Sequence, residues 1–162
     1  MSEQIFPCRR VELNEVCKNP RDLALNWIAN RSAEHWALIS GTALASDIHG
    51  WVAHAVLMRN HERGTMRSNS LDGEFIRLIS GTHHIATSFK RAGLVEGDKT
   101  AYIVDLSNKE SESVFEKNAN NMGFKILKDR PNLEIFDHLR LGITGEKTEN
   151  AAIGHIHIAD LR

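Results

Sequence analysis

The sequence predicts an α/β (α+β) fold in which helices surround a mixed, largely antiparallel sheet of about five strands, all in a single domain over residues 1–162. The chain has 162 residues, of which 41% are hydrophobic and 25% charged, as is typical of one globular domain with a proper core. Short apolar runs alternate with longer segments whose apolar residues recur at helical spacing. Several predicted helices are consecutive, which favours a mixed sheet over a regular doubly wound one.

The first helix is predicted between two strands. Residues 4–13 predict a strand, and Pro7, which cannot donate to a ladder, places that strand at a sheet edge or delays its start. Asn19 followed by Pro20 is typical of a helix cap and the first helical position. The short apolar run at residues 35–40 predicts the second strand.

A long amphipathic helix is predicted next. Ser46 or Asp47 caps it, and it ends near residues 60–64. Its apolar residues lie at spacings of 0, 3, 4, 7 and 8, which predicts one face packed against the core. The residues of this face are Ile48, Trp51, Val52, Ala55 and Val56.

Residues 70–94 predict two short helices joined by a hinge at Ser80, Gly81 and Thr82. In both helices the apolar residues repeat with a 3.6-residue period, so their inner faces are predicted to be core. We expect Thr82 to cap the second helix and Gly93 to end it in the left-handed conformation. The predicted core residues of the pair are Leu71, Phe75, Leu78, Ile79, Ile85 and Phe89.

The second half of the chain predicts the remaining strands, separated by helices. Residues 100–106 are nearly continuous in apolar character, which predicts a central strand. A helix over residues 114–123 leads into a strand at residues 124–127, and residues 130–141 predict another short helix. Residues 155–161 alternate in polarity, which predicts a closing strand.

The two hinged helices also resemble a known family. Residues 70–94 combine an acidic residue, an apolar helix, Ser-Gly-Thr, two polar residues, Ile, a short helix and Gly-Leu. This pattern resembles the kinase-binding subunit of the KEOPS complex, in particular its archaeal type; eukaryotic members are known as PRPK-binding proteins. The resemblance is sharpest over about residues 46–94. Family members usually carry Gly-Thr-Arg-Gln-Ile where this chain has Gly81, Thr82, His83, His84 and Ile85.

The resemblance implies a non-catalytic subunit rather than an enzyme. It implies binding to the small atypical protein kinase of KEOPS and, through that kinase, to the rest of the complex. It also implies a role in recruiting transfer RNA for N6-threonylcarbamoyladenosine synthesis. No apolar run approaches about 18 residues and the N-terminus lacks an apolar signal core, so we expect a cytoplasmic protein without a membrane partner.

The charge distribution predicts where RNA would be held. A net charge of −1 argues against a protein that coats nucleic acid, but residues 59–91 carry six basic and three acidic residues, a local charge of 6 − 3 = +3. We expect free N–H groups at the start of the second hinged helix to favour a phosphate. Arg77, Lys90 and Arg91 are expected on the outer faces of the helix pair. The candidate RNA-binding residues are Arg63, Arg67, Arg77, Thr82, His83, His84, Lys90 and Arg91.

The sequence has no catalytic signature. It lacks a Gly-x-Ser-x-Gly elbow and a phosphate-binding glycine loop, so no cofactor is predicted. Cys8 and Cys17 match neither a redox nor a zinc-binding spacing, and we expect two reduced, partly buried thiols.

Two other functions stay open. The chain has nine histidines, which leaves a histidine-using, metal-dependent enzyme as the main alternative. His155 and His157 would share one face of the predicted closing strand. A stand-alone small-molecule module is the other alternative, and a deep apolar pocket would distinguish it. The histidines that could converge with the first pair are His49, His54, His83 and His84.

Overall fold

The computed structural model describes residues 5–161, so Gln4 of the predicted first strand lies outside the described part. The helices and strands within it combine into a mixed α and β fold around an antiparallel sheet, which confirms the predicted fold class. In chain order they are β1 (Cys8–Glu12), α1 (Pro20–Asn30), β2 (Trp36–Ser40), α2 (Asp47–Arg63), α3 (Leu71–Ser80), α4 (Ile85–Arg91), β3 (Thr100–Asp105), α5 (Glu112–Met122), β4 (Lys125–Ile126) and α6 (Glu149–Asp160).

The sheet has the strand order β2-β3-β1-β4, and every pairing is antiparallel. β3 lies between β2 and β1 and is buried from Ala101 to Asp105, which confirms the predicted central strand. β1 begins directly after Pro7, so the proline delays the start of the strand. This is one of the two outcomes predicted for Pro7, the other being an edge strand. β2 is left as an edge strand.

Helices cover both faces of the sheet. Ile39, Tyr102 and Val104 point to the face packed against α2, α3 and α6. Leu38 and Ile103, one residue along on the same strands, belong to the opposite cluster, which includes residues of α1 and α5. This alternation is the two-residue period of a strand, and it separates the hinged helices from α5 by the thickness of the sheet.

The predicted closing strand at residues 155–161 is wrong, because this segment belongs to α6. The Thr148 hydroxyl accepts a hydrogen bond from the Ala151 N–H at 3.0 Å and caps the helix. Ala152, Ile156 and Ala159 are buried at helical spacing between α2 and α3. A polar–apolar alternation over a few residues is compatible with either structure, and tertiary packing selects the helix.

The predicted helix over residues 130–141 is also wrong, because this segment forms turns. The Asn132 side-chain oxygen accepts from the Ile135 N–H, and that of Asp137 accepts from the Arg140 N–H, both at 3.1 Å. Such bonds from a side chain to the local backbone compete with the helical ladder.

The buried face of α2 differs from the predicted stripe. Ile48 and Ala55 are exposed, and of the predicted residues only Val56 is buried. The helix is rotated relative to the predicted orientation, and Gly50 faces the core. A Cβ at Gly50 would lie 2.4 Å from the Phe6 ring, so only glycine allows this close packing. The buried residues of α2 are His49, Gly50, Ala53, Val56, Leu57 and Asn60.

Candidate functional site

The hinge between α3 and α4 is built differently from the sequence prediction. α3 ends at Ser80 and is capped by Gly81, whose φ of 69° is left-handed. The N-cap of α4 is His84, not Thr82, and the Thr82 hydroxyl instead accepts from the His84 N–H at 3.1 Å. α4 ends at Ala92 in the right-handed conformation, so the predicted left-handed Gly93 is wrong. α4 has only seven residues, so few peptide dipoles align behind the predicted phosphate site.

Arg77 is not on an outer face, which corrects its predicted position. It is 1% exposed, and its Nε and Nη2 donate to the Glu74 carboxylate at 2.9 and 2.8 Å. Its Nη1 donates to the carbonyl oxygen of Ala159 at 2.6 Å and to that of Thr82 at 3.4 Å. Arg77 therefore ties the hinge to α6, and its charge is not available to a nucleic acid.

Glu74 completes this buried pair. Burial raises the pKa of its carboxyl, but the hydrogen bond and positive charge of Arg77, together with hydrogen bonds from Ser68 and Asn60, outweigh that effect and hold the pKa below its ordinary value. The carboxylate also accepts from the backbone N–H groups of Arg67 and Ser68 at 3.2 Å. One ion pair thus anchors both the loop that carries Arg67 and the hinge that carries Thr82.

The other predicted RNA-binding residues lie at the surface around this anchor. Arg91 is half-buried, because its Nη1 donates to the Ser80 carbonyl oxygen at 2.9 Å. The Arg67 guanidinium donates to the Leu161 carbonyl oxygen at 3.4 Å and stays exposed. Thr82 is half-buried, and the remaining exposed residues are Arg63, His83, His84 and Lys90.

The histidines do not converge on a common site. His155 is buried, and its Nε2 lies 2.7 Å from the Leu141 carbonyl oxygen and 2.9 Å from that of Ser80, whereas His157 is exposed. The prediction that both share one face is therefore wrong. His49 is buried with its Nδ1 accepting from the Ala45 N–H, and burial lowers its pKa to about 3. Within residues 5–161 no group of three or more histidine, cysteine or acidic side chains could hold a metal ion.

The sequence predicts two reduced, partly buried thiols at Cys8 and Cys17. Both cysteines are free and buried. Burial raises the pKa of the Cys8 thiol to about 12, so this thiol is protonated at neutral pH.

None of the helices in the described part of the chain is both long enough and apolar enough to cross a membrane.

The structure contains an apolar groove of about 440 Å³ between α1 and the α3–α4 pair, which we call the α1–α4 groove. The sequence analysis did not predict it. Leu38 of the edge strand β2 contributes to its lining. The prediction that Ile85 and Phe89 are core is wrong, because both are exposed, and Phe89 lines this groove. The lining residues are Pro20, Arg21, Ala24, Trp27, Ile28, Arg31, Leu38, Ser70, Asp72, Ile76, Phe89, Gly93 and Leu94.

The hinge and the groove both lie in the part of the chain that matches a known family. The family model of the kinase binding protein CGI-121 matches residues 14–135. A curated relative, the EKC/KEOPS complex subunit TPRKB of Danio rerio, is 34% identical over 74 residues. That alignment spans 46% of this chain and 42% of the relative. α6, which braces the hinge through Ala159 and His155, lies beyond the residues that the family model matches.

Proposed function

Because the chain belongs to the family of the kinase binding protein CGI-121, we propose that it is a non-catalytic accessory subunit of the KEOPS complex. In this role it binds the small atypical protein kinase of that complex and reaches the other subunits through the kinase. The observation that carries the proposal is the family match over residues 14–135, which include every strand of the described structure except β1 and every helix except α6. The name of the Danio rerio relative supports the KEOPS assignment.

We expect a tagged version of the chain, purified from its source cell, to retain a small atypical kinase in a defined ratio. Mass spectrometry of the retained proteins identifies the kinase, and gel filtration of the two purified proteins tests direct contact. A kinase that elutes separately from the chain at micromolar concentrations would contradict the proposal.

We also propose that the surface beside the hinge contacts transfer RNA and helps to deliver it for N6-threonylcarbamoyladenosine synthesis. Arg63 and Arg67 are exposed, and neither forms an ion pair within residues 5–161, so both charges are available to phosphates. His83 and His84 add donors whose positive charge increases as the pH falls toward 6.

Reversing two of these charges, Arg63→Glu with Arg67→Glu, is expected to weaken transfer RNA binding by about tenfold or more at low salt. The slope of log affinity against log salt concentration should also become shallower by about 2, since each lost phosphate contact removes about one unit. Filter binding at several salt concentrations measures both quantities. The backbone N–H of Arg67 keeps its bond to Glu74, so the fold should persist.

The matched control is Lys109→Glu with Lys117→Glu, which changes the net charge by the same amount. Lys117 lies on α5, on the opposite side of the sheet from α3, and Lys109 lies just before that helix; both are exposed. The control should lose much less affinity. Equal losses would mean that only the overall charge matters, and an unchanged affinity of the Arg63 and Arg67 variant at low salt would remove the RNA role.

A further inference from the structure

The α1–α4 groove lies within a wider apolar surface. Ile85 and Phe89 are four residues apart, so they share one face of α4, and they are 37% and 44% exposed. Leu25 and Ile28 are three residues apart on α1 and are 56% and 51% exposed. Ile28 and Phe89 line the groove, and Leu25 and Ile85 lie one helical turn away from them on the same two helices. Exposed large apolar side chains at and beside a groove are typical of a protein-binding surface.

The charges at the groove favour a protein partner over a nucleic acid. Arg31 is already paired with Asp72, with 3.0 Å between Nη1 and the carboxylate. Arg21 is exposed and forms no hydrogen bond or ion pair with any other residue in the 5–161 range. One unpaired positive charge complements one carboxylate of a partner, whereas a nucleic-acid strand is held by a row of cations.

We propose that the α1–α4 groove is the docking site for a helical segment of the partner kinase, with apolar side chains in the groove and an acidic residue beside Arg21. The identification of the partner as the kinase rests on the function proposed above. Two helices form the walls, and such a groove accepts apolar side chains that recur every three or four residues along a helix. A small molecule that filled about 440 Å³ would leave Leu25 and Ile85 uncovered.

The test is the affinity of groove variants for the purified kinase, measured by calorimetry. Ile28→Glu with Phe89→Glu should weaken binding by about 30-fold or more, since two carboxylates would be buried in an apolar interface. Arg21→Glu should weaken binding several-fold, and more strongly at low salt.

The matched control for Ile28→Glu alone is Ile158→Glu, which introduces the same single charge at a 53% exposed position on α6. It should bind the kinase like the wild-type chain. Because both altered groove residues are exposed, circular dichroism should show an intact fold, and Ile28→Glu alone serves if the double variant unfolds. The proposal is overturned if the groove variants keep their kinase affinity, or if they lose transfer RNA affinity instead. If the wild-type chain does not bind the kinase, the proposed function is contradicted as well. If the wild-type chain binds and the groove variants bind equally tightly, only the assignment of the groove is contradicted.

Discussion

Replacing Arg77 with methionine is expected to lower the free energy of unfolding by about 3–5 kcal/mol at pH 7. Glu74 is fully buried, so the loss of Arg77 leaves its carboxylate inside the protein without a counter-charge. The carbonyl oxygen of Ala159 loses its donor at the same time. Urea denaturation followed by circular dichroism measures the change, and the urea midpoint should fall without a large change in slope.

The pH dependence of this variant distinguishes a buried charge from a simple packing defect. In the wild-type protein the pKa of Glu74 is held below its ordinary value, so its contribution is present above the unfolded pKa of about 4.3. That contribution is lost as the pH falls through the folded pKa. Without Arg77 the carboxyl protonates more readily, and the stability gap between the two proteins should shrink toward acid pH.

A second variant checks the same argument. Glu74→Leu with Arg77→Met removes both charges and should recover part of the lost stability. Full recovery is not expected, because the N–H groups of Arg67 and Ser68 also lose their acceptor. A double variant less stable than Arg77→Met alone would contradict the view that the unpaired carboxylate is the main cost.

The second large effect is expected at Gly81, where substitution by alanine should lower the free energy of unfolding by about 2–5 kcal/mol. The φ of 69° is unfavourable for a residue with a Cβ, and that Cβ would lie 2.2 Å from the Nε2 of His155. His155 would have to move away from the carbonyl oxygens of Ser80 and Leu141 that it now contacts. Thermal and urea unfolding both measure the loss.

Gly64 provides a matched control for this prediction. It also caps a helix, with a φ of 67°, but nothing lies within 4 Å of the Cβ that an alanine would add. Gly64→Ala should therefore show the backbone strain alone, about 1–2 kcal/mol. Equal losses at the two glycines would show that the contact with His155 adds nothing.

These two predictions concern one structural relationship, the bracing of the hinge by α6. Arg77 binds the Ala159 carbonyl oxygen, and His155 lies against the Ser80 carbonyl oxygen and Gly81. The exposed residues beside the hinge are therefore positioned by a helix more than 60 residues further along the chain. We expect Arg77→Met to weaken the proposed RNA binding as well, because Glu74 also holds the backbone of Arg67.

Local signals predicted the parts of the fold that depend on neighbouring residues. Asn19 before Pro20 caps α1 as expected, with the Asn19 side chain accepting from the Asp22 N–H at 3.2 Å. The apolar run at Thr100–Asp105 is the central strand β3. In both cases the deciding interactions lie within a few residues or follow from uniform hydrophobicity, so the sequence carries enough information.

The sequence was less informative about which side of a helix faces the core. Phe75 is buried and Phe89 is exposed, although each lies on a regular apolar stripe. Periodicity shows that a stripe exists, but it does not show whether another element of the fold covers it. The α1–α4 groove could not be predicted for this reason, because it depends on how α1 and α4 pack beside the edge strand β2.

The sequence alone is enough to predict the mixed fold class, the central strand, most helix boundaries and the family. It does not show that Arg77 is a buried anchor rather than a surface cation, or that residues 149–160 form a helix. Hydrophobicity and capping act over a few residues, whereas burial depends on contacts between distant segments. Arg77 is buried because Glu74, Thr82 and Ala159 together satisfy its guanidinium, and Ala159 is brought to it only by the fold.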